Sequence, residues 1–87
     1  MIIKKKIWTE YFEKVASGEK KFEVRLADFE VNEGDTLVLE EWDHKKNRYT
    51  GRRVETKVSF VVKTKELTFW NQDEIDKKGY QIIQIEV

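Results

Sequence analysis

The sequence predicts a small α+β domain: about five strands curled into a β-barrel, one α-helix between the first and second strands, and a short helical turn before the last. Three observations carry that expectation. An amphipathic run from Thr9 to Ala16 follows an apolar first segment and is cut off by Gly18, and an apolar stripe closed by a glycine is a helix with its stop. Most of the remaining chain alternates with period two, as half-buried strands do. Five strands in 87 residues without a single proline would leave long unprotected edges, a liability that closure into a barrel removes. A chain of this length makes one domain, residues 1–87, because it has no room for two cores.

Ile2 to Trp8 reads as the first strand, with Ile3, Lys5 and Ile7 on one face and Lys4, Lys6 and Trp8 on the other. Thr9 is the expected N-cap of the helix, and Glu10 falls in its first turn, where negative charge suits the dipole. Tyr11, Phe12, Val15 and Ala16 supply the apolar stripe. Two turns are marginal alone, so this helix must dock on something apolar.

Lys21 to Leu26 is the next strand. Phe22, Val24 and Leu26 form its apolar face, and Lys21, Glu23 and Arg25 its outer, polar one. Phe29 and Val31 should anchor the irregular stretch that follows, and Glu33-Gly34-Asp35 makes a turn. Thr36 to Trp42 is the strongest strand pattern, and Asp43 to Arg48 is a polar hairpin tip. The chain returns antiparallel through Val54 to Lys63, with Val54, Thr56, Val58, Phe60 and Val62 in one register. Gly51 signals a bulge or a close backbone approach. Between Thr64 and Lys78 the pattern weakens. There Asn71 can cap a single turn ended by Gly79, and Leu67, Phe69 and Trp70 are expected to plug an end of the core. Tyr80 to Val87 is apolar on both faces, so it should run inside the sheet and not at its edge.

Composition narrows the function classes. Cysteine is absent, which removes disulfides and thiolate metal sites and suits a cytoplasmic protein. No apolar run approaches the roughly 18 residues of a membrane span, and the N-terminus lacks the apolar core of a signal peptide. The net charge of zero hides a segregation: residues 26–43 carry seven acids and no cation, and residues 44–65 carry eight cations and one acid. One face can therefore attract a polyanion although the whole molecule is neutral.

Few constellations can carry chemistry. His44 is the single histidine, and a metal site would rest on carboxylates alone, without the ligand spacing of a calcium loop. No metal or other cofactor is expected. Ser17 and Ser59 are remote in pattern from His44, which disfavours a catalytic triad, and the four isolated glycines make no phosphate loop. What remains is Lys20-x-x-Glu23-x-Arg25. It is either a charge ladder on a strand, worth about 0.2–1 kcal/mol, or the floor of a cleft. In a cleft, Lys20 and Arg25 would contact an anion or a base and Glu23 would organise them. Trp8, near Lys6 and the helix start, is the best candidate to stack on a base. Trp42 and Trp70 are assigned to the core or its rim. The cationic hairpin of Lys45, Lys46, Arg48, Arg52 and Arg53 is either a backbone track or a solvated tip.

Gly18-x-Lys20-x-x-Glu23-x-Arg25 matches the G-x-K-x-x-E-x-R signature of the ASCH domain, a branch of the PUA-like β-barrels. Lys6-Ile7-Trp8-Thr9-Glu10-Tyr11-Phe12 resembles the opening of a small ASCH branch catalogued only as a domain of unknown function. Phe29 to Asp43, Tyr49 to Arg52 and Gly79 to Glu86 continue the resemblance over nearly the whole chain. Thr9 stands where a proline usually starts the helix, and residues 65–78 match poorly.

The resemblance implies a PUA-like barrel whose cleft, between helix and motif strand, binds RNA or a modified nucleoside. It would be lined by Lys20, Glu23 and Arg25, shaped by Gly18, with Lys6 as a weaker addition. It also implies an alternative. One ASCH branch hydrolyses the acyl amide of acetylated cytidine, and Lys20 would then be catalytic. In that branch a threonine nucleophile stands where Glu23 stands here, and a carboxylate cannot be activated as that hydroxyl is. Lys20 with an acid such as Glu74 would have to serve as the acid–base pair. A protein-interaction module that keeps the fold without the ligand is the third expectation.

Overall fold

Strand β1 (Ile2–Trp8) runs directly into helix α1 (Thr9–Ala16), and β2 (Phe22–Leu26) follows a tight turn. A hairpin of β3 (Thr36–Asp43) and the long β4 (Arg48–Lys63) comes next. A 3-10 turn (Thr64–Glu66), the single-turn α2 (Gln72–Ile75) and β5 (Tyr80–Glu86) complete the chain. This computed structural model describes residues 1–67 and 71–87, so the expected plugs Phe69 and Trp70 lie outside the described residues.

The strands form one sheet in the order β1-β3-β4-β5-β2, curled into a half-barrel. β1 is parallel to β3, and the other neighbours are antiparallel. β5 lies between β4 and β2, inside the sheet as expected, but only one of its faces is buried: Gln81, Ile83 and Ile85 point inward, and Tyr80 and Ile82 are exposed. β1 and β2 are the edges, and a side chain spans the seam between them: Arg25 donates to the carbonyl of Lys6 at 2.5 Å.

The core fills the hollow of the half-barrel. Ile7, Leu37, Leu39, Val58, Ile83 and Ile85 come from the sheet, Val31 from the loop before β3, and Phe12 and Val15 from α1. Burying a side chain of this kind is worth about 1.5–3 kcal/mol, so two of them hold a helix that would not persist alone. The turn after α1 needs Gly18, whose φ of +81° is open to glycine without penalty. α2 starts as its sequence indicates, with the Asn71 side chain accepting from the Asp73 amide at 3.0 Å.

Three expectations are corrected. Thr9 is the first helical residue and not the cap. β1 keeps its register with β3 as far as Trp8 opposite Trp42, so Trp8 is the extended residue at the boundary, and it makes no side-chain cap bond. Second, the faces of β2 are reversed. Glu23 is 4% exposed, whereas Phe22, Val24 and Leu26 are 48%, 54% and 41% exposed. As an edge strand, β2 adds its apolar residues to the outer face, where Val24 pairs with Ile82 and Leu26 with Tyr80. Its polar side turns into the hollow, where Glu23 finds cationic partners.

Third, the register of β4 does not run through. Val58 pairs with Ile85 but Phe60 pairs with Gln84, so Ser59 is an extra residue, a bulge bonded to the Gln84 carbonyl at 3.2 Å. Beyond it the phase flips: Phe60 faces outward and Val61 packs on the core. Gly51 belongs to a second irregularity. Glu40 pairs with Arg53 and Trp42 with Tyr49, which places two more residues on β4 than on β3. A Cβ at Gly51 would meet nothing within 4 Å, so a bulge, and not a close approach, explains it.

Candidate functional site

The path from α1 to β2 builds a cleft. After Gly18 the Lys20 amide bonds back to the Lys14 carbonyl at 2.8 Å, which turns the Lys20 side chain over the start of β2. Its ammonium donates to the Phe22 carbonyl at 2.6 Å and to Glu23 Oε1 at 2.9 Å. Arg25 Nε donates to Glu23 Oε2 at 2.8 Å, and its outer nitrogen reaches the Lys6 carbonyl. The Glu23 carboxylate is 5% exposed, against 17% for the Lys20 side chain and 22% for that of Arg25. This is not a surface ladder. One buried carboxylate holds two cations at the mouth of a cavity of about 450 Å³, lined by Ile7, Tyr11, Phe22, Val24 and the three charged residues. Two cations and one carboxylate leave the site positive by one charge. Tyr11 and Phe22 flank it half-exposed, with the Lys20 ammonium 5.8 Å and 4.6 Å from their ring centroids.

A larger hollow of about 660 Å³ shares Lys20 and Phe22 and extends over the outer face past Gly18, Phe60 and Ile82. It is mainly an apolar concavity. The smaller cavity is the better candidate because polar groups converge in it. Gly18 thus shapes the turn and borders the larger space.

Lys6 and Trp8, also expected in the site, do not bring their side chains to it. β1 buries Ile7, so its neighbours point to the outer face, and only the backbone carbonyl of Lys6 enters the cleft. The Lys6 ammonium lies over the Trp42 ring at 3.8 Å, and Trp8 stacks on His44 with ring centroids 4.1 Å apart. Trp42, edge-on to Tyr49, belongs to the rim. Glu74, proposed as the acid of a hydrolase pair, is an exposed residue of α2 and does not line the cleft.

A second charged network was not anticipated. Glu41 is buried at 1% exposure, and both its oxygens are taken by Arg52, at 2.8 and 2.9 Å, with the Thr50 hydroxyl at 2.5 Å. The free end of Arg52 reaches Glu13 on α1 at 2.5 Å. The hydrogen bonds from Arg52 hold the Glu41 carboxyl below its usual range against the opposing effect of burial, and Thr50 adds to them. Glu41 and Glu13 in turn push the Arg52 guanidinium further up. A signal was present: Leu37, Leu39 and Glu41 share the buried phase of β3, so a carboxylate there needs a partner.

Among the described residues no group of three or more acids and histidine is placed to hold a metal ion, and no helix is long and apolar enough to cross a membrane.

One relative and one structural neighbour frame this geometry. The chain is 37% identical over 68 residues to an uncharacterised 12.9 kDa protein in the GpA 3' region of Escherichia phage P2. The match covers 78% of this chain and 58% of that protein, so the chain spans little more than half the length of the relative. The crystal structure of a hypothetical protein, PH0355, superposes with a TM-score of 0.68 at 19% identity, covering 99% of this chain and 98% of that one. Such identity shows the fold alone, and the fold is the same five-stranded half-barrel with its helix after β1. Residues 2–85 match the family described as a domain of unknown function, DUF3850, and the chain belongs to that family.

Proposed function

We propose that this chain is an RNA- or nucleotide-binding module whose ligand enters the cleft between α1 and β2. One observation carries the reading: buried Glu23 fixes Lys20 and Arg25 at a cavity mouth between two half-exposed aromatic rings. Fixed cations suit a phosphate or the carbonyl edge of a base, and Arg25 adds a planar fork that also stacks. Tyr11 and Phe22 offer faces for a base. The resemblance of Gly18-x-Lys20-x-x-Glu23-x-Arg25 to the ASCH signature points the same way. A hydrolase reading finds no support in this geometry. Glu23, where that chemistry would need a nucleophile, is engaged by both cations, and no second acid lines the cleft.

Titration of labelled single-stranded RNA at two salt concentrations tests the proposal. Two cations on a single strand give a slope of about −1.4 in log K against log salt, and Lys20→Ala or Arg25→Ala should each weaken binding. A flat salt response, or variants that bind as wild type does, overturns it.

A further inference from the structure

We infer that the outer face of β1, β3 and the first half of β4 is a second binding surface, a stacking platform for single-stranded nucleic acid. The register builds it. Trp8 lies opposite Trp42, and Trp42 opposite Tyr49, so three aromatic side chains form a row across three adjacent strands spaced about 4.8 Å apart. The two ends of the row are open, with Trp8 50% and Tyr49 49% exposed. The next row in register is Lys6, Glu40 and Arg53, which sets exposed cations at both of its ends.

Two contacts show what the row accepts. The imidazole of His44 lies against the Trp8 indole at 4.1 Å and 28°, held in place by Glu10 at 3.0 Å. A flat heteroaromatic ring thus already stacks there. The Lys6 ammonium sits over the face of Trp42 at 3.8 Å and within 5.5 Å of Tyr49, so a base that stacks on Trp42 displaces this flexible cation from the ring and leaves it free to meet the phosphate. The first half of β4 enters the platform from a hairpin tip that carries Lys45, Lys46 and Arg48, and Arg53 follows on the same strand. Aromatic faces interleaved with cations suit bases and phosphates better than an aliphatic protein surface, and every base has a face to stack.

The platform adjoins the cleft at a single residue. The Lys6 carbonyl anchors Arg25 inside, and the Lys6 side chain lies on the platform outside. Because β1 is an edge strand, one single strand can pass from cleft to platform over that edge. Only this continuity rests on the reading of the cleft given above, and the two fail separately in one experiment.

The probes are a labelled uridine oligonucleotide of about six residues, within the site size of single-strand binders, uridine monophosphate, and a duplex of mixed sequence. Trp8→Ala and Tyr49→Ala should each weaken the oligonucleotide by about 5–100-fold and leave the mononucleotide unchanged. Tyr49→Phe, which keeps the ring, should bind as wild type does, which separates stacking from damage to the fold. Lys20→Ala should weaken both single-stranded probes. If the platform variants bind the oligonucleotide normally while Lys20→Ala does not, the platform is overturned and the cleft stands. If they lose it while Lys20→Ala is unaffected, the platform stands and the cleft is overturned. A duplex bound as tightly as the single strand, or no binding of the oligonucleotide by wild type, also overturns the platform.

Discussion

Glu23 and Glu41 are both withdrawn from water in one small sheet, and both are held by an arginine, yet they make opposite kinds of site. Glu41 gives both oxygens to Arg52 and accepts from Thr50, while the far end of Arg52 is tied to Glu13 and its guanidinium covers the Phe12 ring at 4.8 Å. The cluster locks α1 to the β3–β4 hairpin, with only Glu41 fully buried and the Arg52 side chain half-exposed above it. Glu23 divides its oxygens between two neighbouring cations, Lys20 in the turn before β2 and Arg25 on β2 itself, and those cations stand at a cavity mouth. A guanidinium has five donors and an ammonium three, and the described bonds of Arg25, Lys20 and Arg52 alike use only part of them. The difference lies in place: Lys20 and Arg25 line a cavity, and Arg52 bridges the hairpin to α1. The same residue types thus stabilise where they tie one element to another and can recognise a ligand where they line a cavity.

The sharpest test of that contrast is Glu41→Gln. It should cost about 2–3 kcal/mol by removing charged hydrogen bonds from a buried position, and the melting temperature should fall by roughly 10–20 °C. RNA binding measured well below the new melting point should be unchanged. Acid titration sharpens the same point. The folded Glu41 carboxyl titrates below its ordinary 4.5, so its contribution is fully present above that value and is lost as pH falls through the lower folded one. Urea midpoints followed from about pH 6 to pH 3 should therefore decline more steeply for wild type than for Glu41→Gln.

Glu23→Gln should be the milder change, about 1–2 kcal/mol, because Glu23 accepts one bond each from Lys20 and Arg25, whereas Glu41 accepts two from Arg52 and one from Thr50. Its larger consequence should be weaker RNA binding, measured by the same titration, since Lys20 and Arg25 lose their common anchor. If Glu23→Gln unfolds the protein more readily than Glu41→Gln, the two roles have been assigned the wrong way round. The smallest effect should come from Gly18→Ala. Nothing lies within 4 Å of the added methyl, so only the positive φ is penalised, by about 1 kcal/mol. A loss beyond twice that in thermal melts would mean that the turn places Lys20 under more constraint than its geometry indicates.

Much of the fold was legible. The helix and its glycine stop, the hairpin, the Asn71 cap and the interior position of β5 all follow from local rules that act within a few residues. The face of β2 was not legible. Alternation of Phe22, Val24 and Leu26 with Glu23 and Arg25 establishes a period but leaves its phase open, and an edge strand of a curled sheet can turn either side inward. Ser59 hid the outward turn of Phe60 in the same way, because one inserted residue reverses the phase and carries no distinctive side chain. In the candidate site, Lys20, Glu23 and Arg25 were found by their spacing and flanks. The pairing of Glu41 with Arg52 across eleven positions was missed because it depends on the bulge at Gly51.

By itself, then, the sequence determined the order and kind of the elements, since helix stops, strand periods and turn residues are consequences of neighbouring backbone geometry. Tertiary structure decided which carboxylates are buried and which face is polar. Desolvating a charge is tolerated only where charged or hydrogen-bonding partners converge on it, and the curled sheet decides which carboxylates turn inward to meet theirs. Lys20 and Arg25 stand only three and two positions from Glu23 and meet on it because β2 turns that carboxylate inward, and Trp8, Trp42 and Tyr49 form one row only because three strands lie side by side.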